Sequence, residues 1–346
     1  MTEQREILTA SAMNTLVRCP REYYLKYELG IRPEIDSTPL VTGTAWHNAM
    51  EARWHGKSYE EALDAMCKGV TELDENTLAG LSALLAGYYK HYGEVTDADS
   101  IKSEIEFRHE IKDSQFDSAG RVDCIQLVGE NAVNIIEHKT TGEDISDDSG
   151  YWDRLRYNTQ LYQYYLGIQS LGYDIESIIY DVTRKPTINP KNAVPCLDEF
   201  GRKIVLDTQG NRVANKNGEP RQSESRKNGY WMKTRPETPE EYSERLFQDI
   251  QERPEFYFQR REVPILLQDV ETFINERIER GEQILHYRTR QQKVGEAAWA
   301  RNVTFFTCRN CAFSAHCLQN VTIDVNNLPP GFKLSKRHAE LTEVTQ

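Results

Sequence analysis

Asp123, in the stretch GRVD, and Glu137 with Lys139, in IIEHK, lie on two β-branched runs separated by turn residues from Gly129 to Asn131. Residues two apart in a strand project to the same face, so Glu137 and Lys139 point together while His138 points away. A hairpin joining the two runs brings Asp123 alongside them. Two carboxylates and an ammonium at one sheet edge suit a hard divalent cation held through oxygen, with waters left for a substrate. Lys139 would then lower the pKa of a cation-bound water or hold a phosphate oxygen, an arrangement for phosphodiester hydrolysis. The bland reading is a structural salt bridge. The apolar run NAVNII before Glu137 speaks against it, because it places these charges at a partly buried strand end, where an unpaired charge is costly.

Cys308, Cys311 and Cys317 follow the pattern C-x2-C-x5-C, and Cys19 stands before Pro20 near the other end of the chain. Three clustered thiolates and a distant fourth can close a four-sulfur site for zinc or for an iron–sulfur cluster, and spacing alone does not choose between them. His316, beside Cys317, offers an alternative zinc ligand. Cys67, Cys124 and Cys196 lack partners at ligand spacing and read as ordinary thiols. Gly56-Lys57-Ser58 is superficially like a phosphate-binding loop. Its first glycine would fall on Glu51, within a helical pattern and with no strand before it.

The elements that must position these residues show in the periodicity. Ser11 suits the cap of a first short helix carrying Leu16 and Val17, and Pro20 suits the first position of a second helix ending near Gly30. Trp46, Met50 and Trp54, spaced i, i+4, i+8, mark a buried helix face around His47. Helical spacing continues from Tyr59 to His91 through Ala62, Met66, Val70, Leu81, Leu85 and Tyr88. From residue 101 the pattern becomes IKSEIEFRHEIK, RVDCIQLVG and NAVNIIEHK, then a helix, RLRYNTQLYQYYLGIQSLG, then SIIYDVTRK. The order β-β-β-α-β points to a mixed sheet with a helix packed on it. Residues 184–235 read as an insertion with a short hairpin turning at Phe200-Gly201 and at Gln209-Gly210-Asn211. Thr238 caps a later helix, another runs roughly from Val270 to Arg290, and a polar tail follows Pro330. No internal repeat is evident.

G-x-x-D followed on the next strand by E-x-K resembles the PD-(D/E)xK nuclease superfamily. Gln160 and Tyr164, in QLYQY, resemble the Q-x-x-x-Y element of its RecB-like branch, and i, i+4 spacing puts both on one helical face. His47, in GTAWHNAME, resembles the histidine that this branch adds as a metal ligand; Glu106 is a looser match for a further acid. RCPREYYLKY and FFTCRNCAFSAHCLQ resemble the iron–sulfur members, the AddB-type subunit and the CRISPR-associated exonucleases. The resemblance implies an α/β, restriction-endonuclease-like mixed central sheet flanked by helices. It implies Mg²⁺ or Mn²⁺ on His47, Asp123, Glu137 and the backbone carbonyl of His138. Lys139 would activate water, Gln160 and Tyr164 would steady Lys139 or substrate, and Cys19, Cys308, Cys311 and Cys317 would hold a [4Fe-4S] cluster, with zinc as the rival occupant. The implied activity is a DNA exonuclease. The alternative is a non-catalytic DNA-binding or assembly subunit, and protein partners or an oligomer are compatible with either.

Composition sets outer limits. The 346 residues suffice for one large domain or two, and 38% hydrophobic content with 18 Tyr and 5 Trp can fill a core. The expected segments are 1–35, bearing Cys19; a helical subdomain, 36–100; a nuclease core, 101–184; a basic insertion, 185–236; helices, 237–300; the cysteine segment, 301–330; and a flexible tail, 331–346. The net charge of −12 excludes a surface coated in nucleic acid or held to an anionic membrane. That total is uneven: residues 184–235 hold 12 Lys and Arg against 5 acids, a local +7, which leaves −19 elsewhere. Seven cysteines cannot all pair, the opening MTEQREILTASAMN is unlike a signal peptide, and LSALLAG is too short to span a bilayer, so the chain reads as soluble and cytoplasmic.

Overall fold

The structure, a computed structural model, describes residues 5–68, 73–155, 157–339 and 341. Its centre is the long strand β3, and among the described residues six strands share one sheet. These are β1 (Glu6–Leu8), β2 (Ile101–Glu110), β3 (Phe116–Leu127), β4 (Ala132–Thr141), β5 (Asp174–Arg184) and β6 (Phe258–Glu262). β2 pairs antiparallel with β3 from Ile101↔Gln126 to Glu110↔Asp117. On the opposite edge of β3, β1 runs parallel over Glu6↔Phe116 to Leu8↔Ser118, whereas β4 pairs antiparallel with Cys124 to Leu127. β5 continues parallel to β4 as far as Thr141↔Arg184, and β6 closes the sheet antiparallel to β5. The architecture is the α/β mixed sheet flanked by helices that the sequence implies. β1 and β6 are additions, because EIL and FQRRE are too short or too polar to show strand alternation.

The helices of nine residues or more are α1 (Ala10–Arg18), α2 (Thr38–Trp54), α3 (Tyr59–Cys67), α4 (Glu75–Tyr92), α5 (Thr159–Ser170), α6 (Pro239–Glu252) and α7 (Leu267–Val294). The helix expected from Pro20 forms as Pro20–Tyr23 running into a π-helix, Tyr24–Glu28. Several boundaries differ from expectation, and each difference has a local cause. Thr9, not Ser11, caps α1, its hydroxyl accepting from the Ala12 amide. The stretch from Tyr59 to His91 is two helices, because Ser58 and Asp74 each cap a new start; Val70 lies outside the described residues. Ser58 sits in a capping box with Glu61, so Gly56-Lys57-Ser58 begins a helix and is no phosphate loop. The long helix expected from Arg154 divides into Gly150–Leu155 and α5, where the Asn158 side chain accepts from the Gln160 amide; Arg156 is outside the described residues. Residues 340 and 342–346 of the expected tail are likewise not described. In the insertion both expected turns form, and a third of the same kind follows at Asn215–Gly218, so a short repeat is present.

Each face of the sheet carries its own core. α5 packs Leu161, Tyr164 and Ile168 against Phe107, Val122, Ile135 and Ile178. On the other face, Trp46, Met50, Tyr88 and Leu246 from α2, α4 and α6 cover Cys124 and Ile136. A third cluster ties the chain ends together. Tyr23 and Tyr24 stack on Trp299 with ring centroids 5.7 and 5.4 Å away, the Arg21 amide bonds Ala300 O, and Ile31–Pro33 pairs with Phe332–Leu334. Among the described residues no helix is long and apolar enough to cross a membrane.

α5 can seat this closely because it offers Gly167 to the sheet. A Cβ there would stand 2.4 Å from the Phe107 ring. Gly167→Ala is therefore expected to destabilise the protein by about 1–3 kcal/mol through overpacking. The check is the urea midpoint; an unshifted midpoint would mean that the helix is not seated on Phe107.

Candidate active site at the opening of the sheet

The ladder between β3 and β4 ends at Cys124↔Ile136. One residue further, the carboxylate of Asp123 takes the place of a backbone acceptor, and its Oδ2 receives the His138 amide at 3.0 Å. The two strands part from this point. Gln163, fully buried on α5, holds the parted region by donating from Nε2 to Leu8 O at 3.2 Å and to Ala119 O at 2.7 Å.

Into this opening β4 projects Glu137 and Lys139 on the face covered by α5. Glu137 Oε1 accepts from Lys139 Nζ, which also donates to Gln160 Oε1 at 3.0 Å; Gln160 Nε2 donates to the Tyr164 hydroxyl at 2.6 Å. From α2, His47 Nδ1 reaches to 3.4 Å from Asp123 Oδ1. The structure thus brings His47, Asp123, Glu137, Lys139, Gln160 and Tyr164 together.

Electrostatically the group is short of positive charge. Burial, and then the Asp123 charge, push the Glu137 carboxyl up to about 7 despite Lys139. Burial would also raise Asp123, but the His47 hydrogen bond and neighbouring positive charge outweigh it and hold that carboxyl at about 2. Burial opposes the Lys139 ammonium, yet Glu137 and Asp123 overcome it and raise its pKa, so it stays charged. Glu137 Oε2 is buried with no hydrogen-bond partner among the described residues. A buried carboxylate oxygen left over beside an ionised carboxylate and an imidazole is a donor set for a hard divalent cation, so these residues fit one. Among the described residues no three such side chains already converge at ligand distance. The Lys139 ammonium and the His138 amide occupy Glu137 and Asp123 instead.

His138 points the other way, as alternation requires. Its ring is buried between Trp54 and His47, with Nδ1 3.5 Å from Asp181, and burial lowers its pKa to about 4, so it is neutral. Asp181 is held by Arg260 at 2.9 Å and by the Tyr88 hydroxyl, which Arg260 also reaches at 2.8 Å. This network fixes the peptide that carries His138 from behind the sheet.

Glu104 joins the acidic group without having been marked by any motif. It stands opposite Asp123 between the pairs Ser103↔Cys124 and Ile105↔Val122, with a left-handed φ of 52° that is strained for glutamate. Burial raises its carboxyl, Arg121 at 2.7 Å opposes this, and the charges of Glu51 and Asp123 add to it. Glu106, the acid suggested by the motif, lies opposite Arg121 in the ladder. Backbone strain leaves no trace in residue type, so no sequence signal separates Glu104 from its neighbours.

At the other end of the molecule, Cys19, Cys308, Cys311 and Cys317 line one cavity with Leu25 and Phe313. None of the four is in a disulfide, and among the described residues no three of them converge at metal-ligand distance. Burial, with Glu22 nearby, pushes the Cys311 thiol up to about 11. His316 packs edge-on against Phe332 and does not line that cavity. Cys67 is exposed, and Cys124 is buried in the core between sheet and helices.

Residues 7–318 match the PD-(D/E)XK nuclease superfamily, and the chain belongs to it. Among solved structures, the crystal structure of SSO0001 matches with 13% identity and a TM-score of 0.36, over 93% of this chain and 90% of that one. No curated protein matches the sequence. Nucleases of this superfamily generally use Mg²⁺ or Mn²⁺.

Removing Arg260 would leave Asp181 buried without its cation, a change that costs roughly 3 kcal/mol. Arg260→Ala should lower the denaturation midpoint accordingly, and adding Asp181→Asn should restore part of it. Equal midpoints for the parent and the single variant would show that the network does not brace the strand.

Proposed function

We propose that this protein is a metal-dependent DNA nuclease of the RecB-like branch, acting as an exonuclease on DNA ends or single strands. The observation that carries the reading is the convergence of Asp123, Glu137 and Lys139 at the parting strands, with Glu137 Oε2 unpartnered and His47 beside Asp123. His47, Asp123, Glu137 and the His138 backbone carbonyl would hold Mg²⁺ or Mn²⁺. A bound divalent cation lowers the pKa of a water and neutralises charge building on the phosphate. Lys139 donates to the attacking water or to a phosphate oxygen, and the Gln160 carbonyl orients its ammonium. Tyr164 fixes Gln160 from one helical turn away. Asp123 keeps His47 in place and, through the His138 amide, sets where Glu137 and Lys139 stand.

A [4Fe-4S] cluster on Cys19, Cys308, Cys311 and Cys317 is the companion proposal, supported by the shared cavity. Such a cluster would link the two chain ends and make their folding depend on metal supply. Electron transfer does not follow from it.

Asp123→Ala and Lys139→Ala are each expected to reduce cleavage of end-labelled DNA with Mg²⁺ or Mn²⁺ by at least a hundredfold, as for loss of a group that stabilises a transition state. Fold, read by circular dichroism, should survive. Parental rates in either variant would refute the site, and degradation of circular DNA would refute the exonuclease assignment. For the second site, protein purified without added metal should be brown and contain iron; a colourless protein containing zinc would replace the cluster with a zinc staple.

A further inference from the structure

The insertion between β5 and α6 has a construction that neither the sheet nor the cysteine site explains. Its turns repeat at Asp198–Gly201, Asp207–Gly210 and Asn215–Gly218. In each, the glycine amide bonds the first residue's carbonyl at 2.9–3.0 Å, and the glycine takes a left-handed φ of 73–84°. Asp198 and Asp207 also accept from the amide two residues on, at 2.9 Å. Asp198 further braces Arg202 and Arg212. Tight turns satisfied from within hold this segment in shape with little core of its own; Val205 is the buried apolar side chain of residues 185–236.

The side chains that such a frame displays are cations and rings. Lys191, Lys203, Lys216, Lys227 and Lys233 are exposed. Phe200 is 70% exposed and Trp231 48% exposed. Arginines lie over three of the rings: Arg202 over Phe200 at 4.7 Å, Arg221 over Tyr230 at 5.3 Å and Arg226 over Trp231 at 5.6 Å. The first root of the segment is fixed close to the opening, and its return is tied to its own start and to α6. The Lys185 amide bonds Thr141 O at 2.7 Å, two residues past Lys139 on β4, and the buried Glu237 accepts from the Lys191 amide and pairs with Arg245 of α6.

We propose that this insertion is a docking strip for single-stranded nucleic acid that leads a strand to the parted edge of the sheet. The proposal rests on the nuclease reading for what happens to the strand, but the binding itself does not require cleavage. Charge selects a polyanion, since the insertion, residues 185–236, carries a net +6 from 11 Lys and Arg against 5 acids, on a body of −18 that repels phosphate elsewhere. The rings select an unpaired strand, because a base can stack on Phe200 or Trp231 only when its faces are free. An acidic protein segment would satisfy the lysines but would have no use for the rings.

The test is fluorescence anisotropy in EDTA on the full chain, with labelled oligothymidine and a blunt duplex over a salt series. Lys203→Glu with Lys227→Glu and Lys233→Glu should weaken strand binding at least tenfold. The same variant should flatten the log–log salt slope by about 2, for three phosphate contacts at about 0.7 each. Phe200→Ala with Trp231→Ala should weaken strand binding about tenfold by loss of stacking, while duplex binding and the salt slope stay as in the parent. Trp231→Phe, which keeps a ring, should hold the parental affinity, separating stacking from damage to the fold. Parental affinity and slope in the charge variant, or equal losses on strand and duplex in the ring variant, would overturn the strip. Cleavage with Mg²⁺ is scored separately. A parent that cuts DNA while the strip variants bind normally refutes this inference alone; a parent that binds through the strip and never cuts refutes the nuclease reading alone.

Discussion

A backbone amide that gives its hydrogen to a side chain, where a strand ladder would have used a carbonyl, organises this molecule. The His138 amide is taken by Asp123, and at that residue β4 stops following β3. A ladder continued by one more pair would have left no gap at which carboxylates and an ammonium could meet. The parting also exposes backbone to the interior, which is tolerable only if something else meets its hydrogen bonds. Gln163 supplies two of them at zero exposure, which explains a polar amide in the middle of an otherwise apolar helix face.

The opening is held from both faces of the sheet by different means. α5 approaches as closely as a glycine permits, so Gln160 and Tyr164 reach Lys139 as a chain of direct hydrogen bonds. Behind the sheet the contact is aromatic and ionic: His138 sits between Trp54 and His47, and Asp181 is clasped by Arg260 and Tyr88. Rigid packing on one side and an ionic and aromatic clasp on the other leave the strand carrying Glu137 little freedom. That fixity is what holds a carboxylate buried with one oxygen unpartnered.

Much of this was legible in the residues because it is periodic. Two-residue alternation in IIEHK put Glu137 and Lys139 on one face, and i, i+4 spacing put Gln160 and Tyr164 on one side of α5. The Trp46, Met50 and Trp54 stripe oriented the helix that carries His47. What stayed hidden depends on contacts distant in sequence or on backbone strain. β1 and β6 become strands only because a sheet edge is there to receive them, and Glu104 enters the acidic group through a left-handed φ that glutamate does not advertise. The repeat in the insertion is invisible in the sequence because its three turns share a shape more than a residue pattern: D-E-F-G, D-T-Q-G and N-K-N-G agree at little beyond an Asx and a glycine.

The pairing of Ile31–Pro33 with Phe332–Leu334 makes nearly the whole chain a single closed loop. The entropy of closing such a loop grows only with the logarithm of its length, so doubling it adds about 0.6 kcal/mol. A protein sealed this way can accept added sequence between its elements almost without penalty, provided the two ends of the addition are held together. Residues 185–236 are closed at their base in this way: Lys191, soon after β5, bonds Glu237, which Arg245 of α6 holds. The clasp at the termini thus makes the scaffold permissive in its middle, where new surface can be acquired while the parted strands stay as they are.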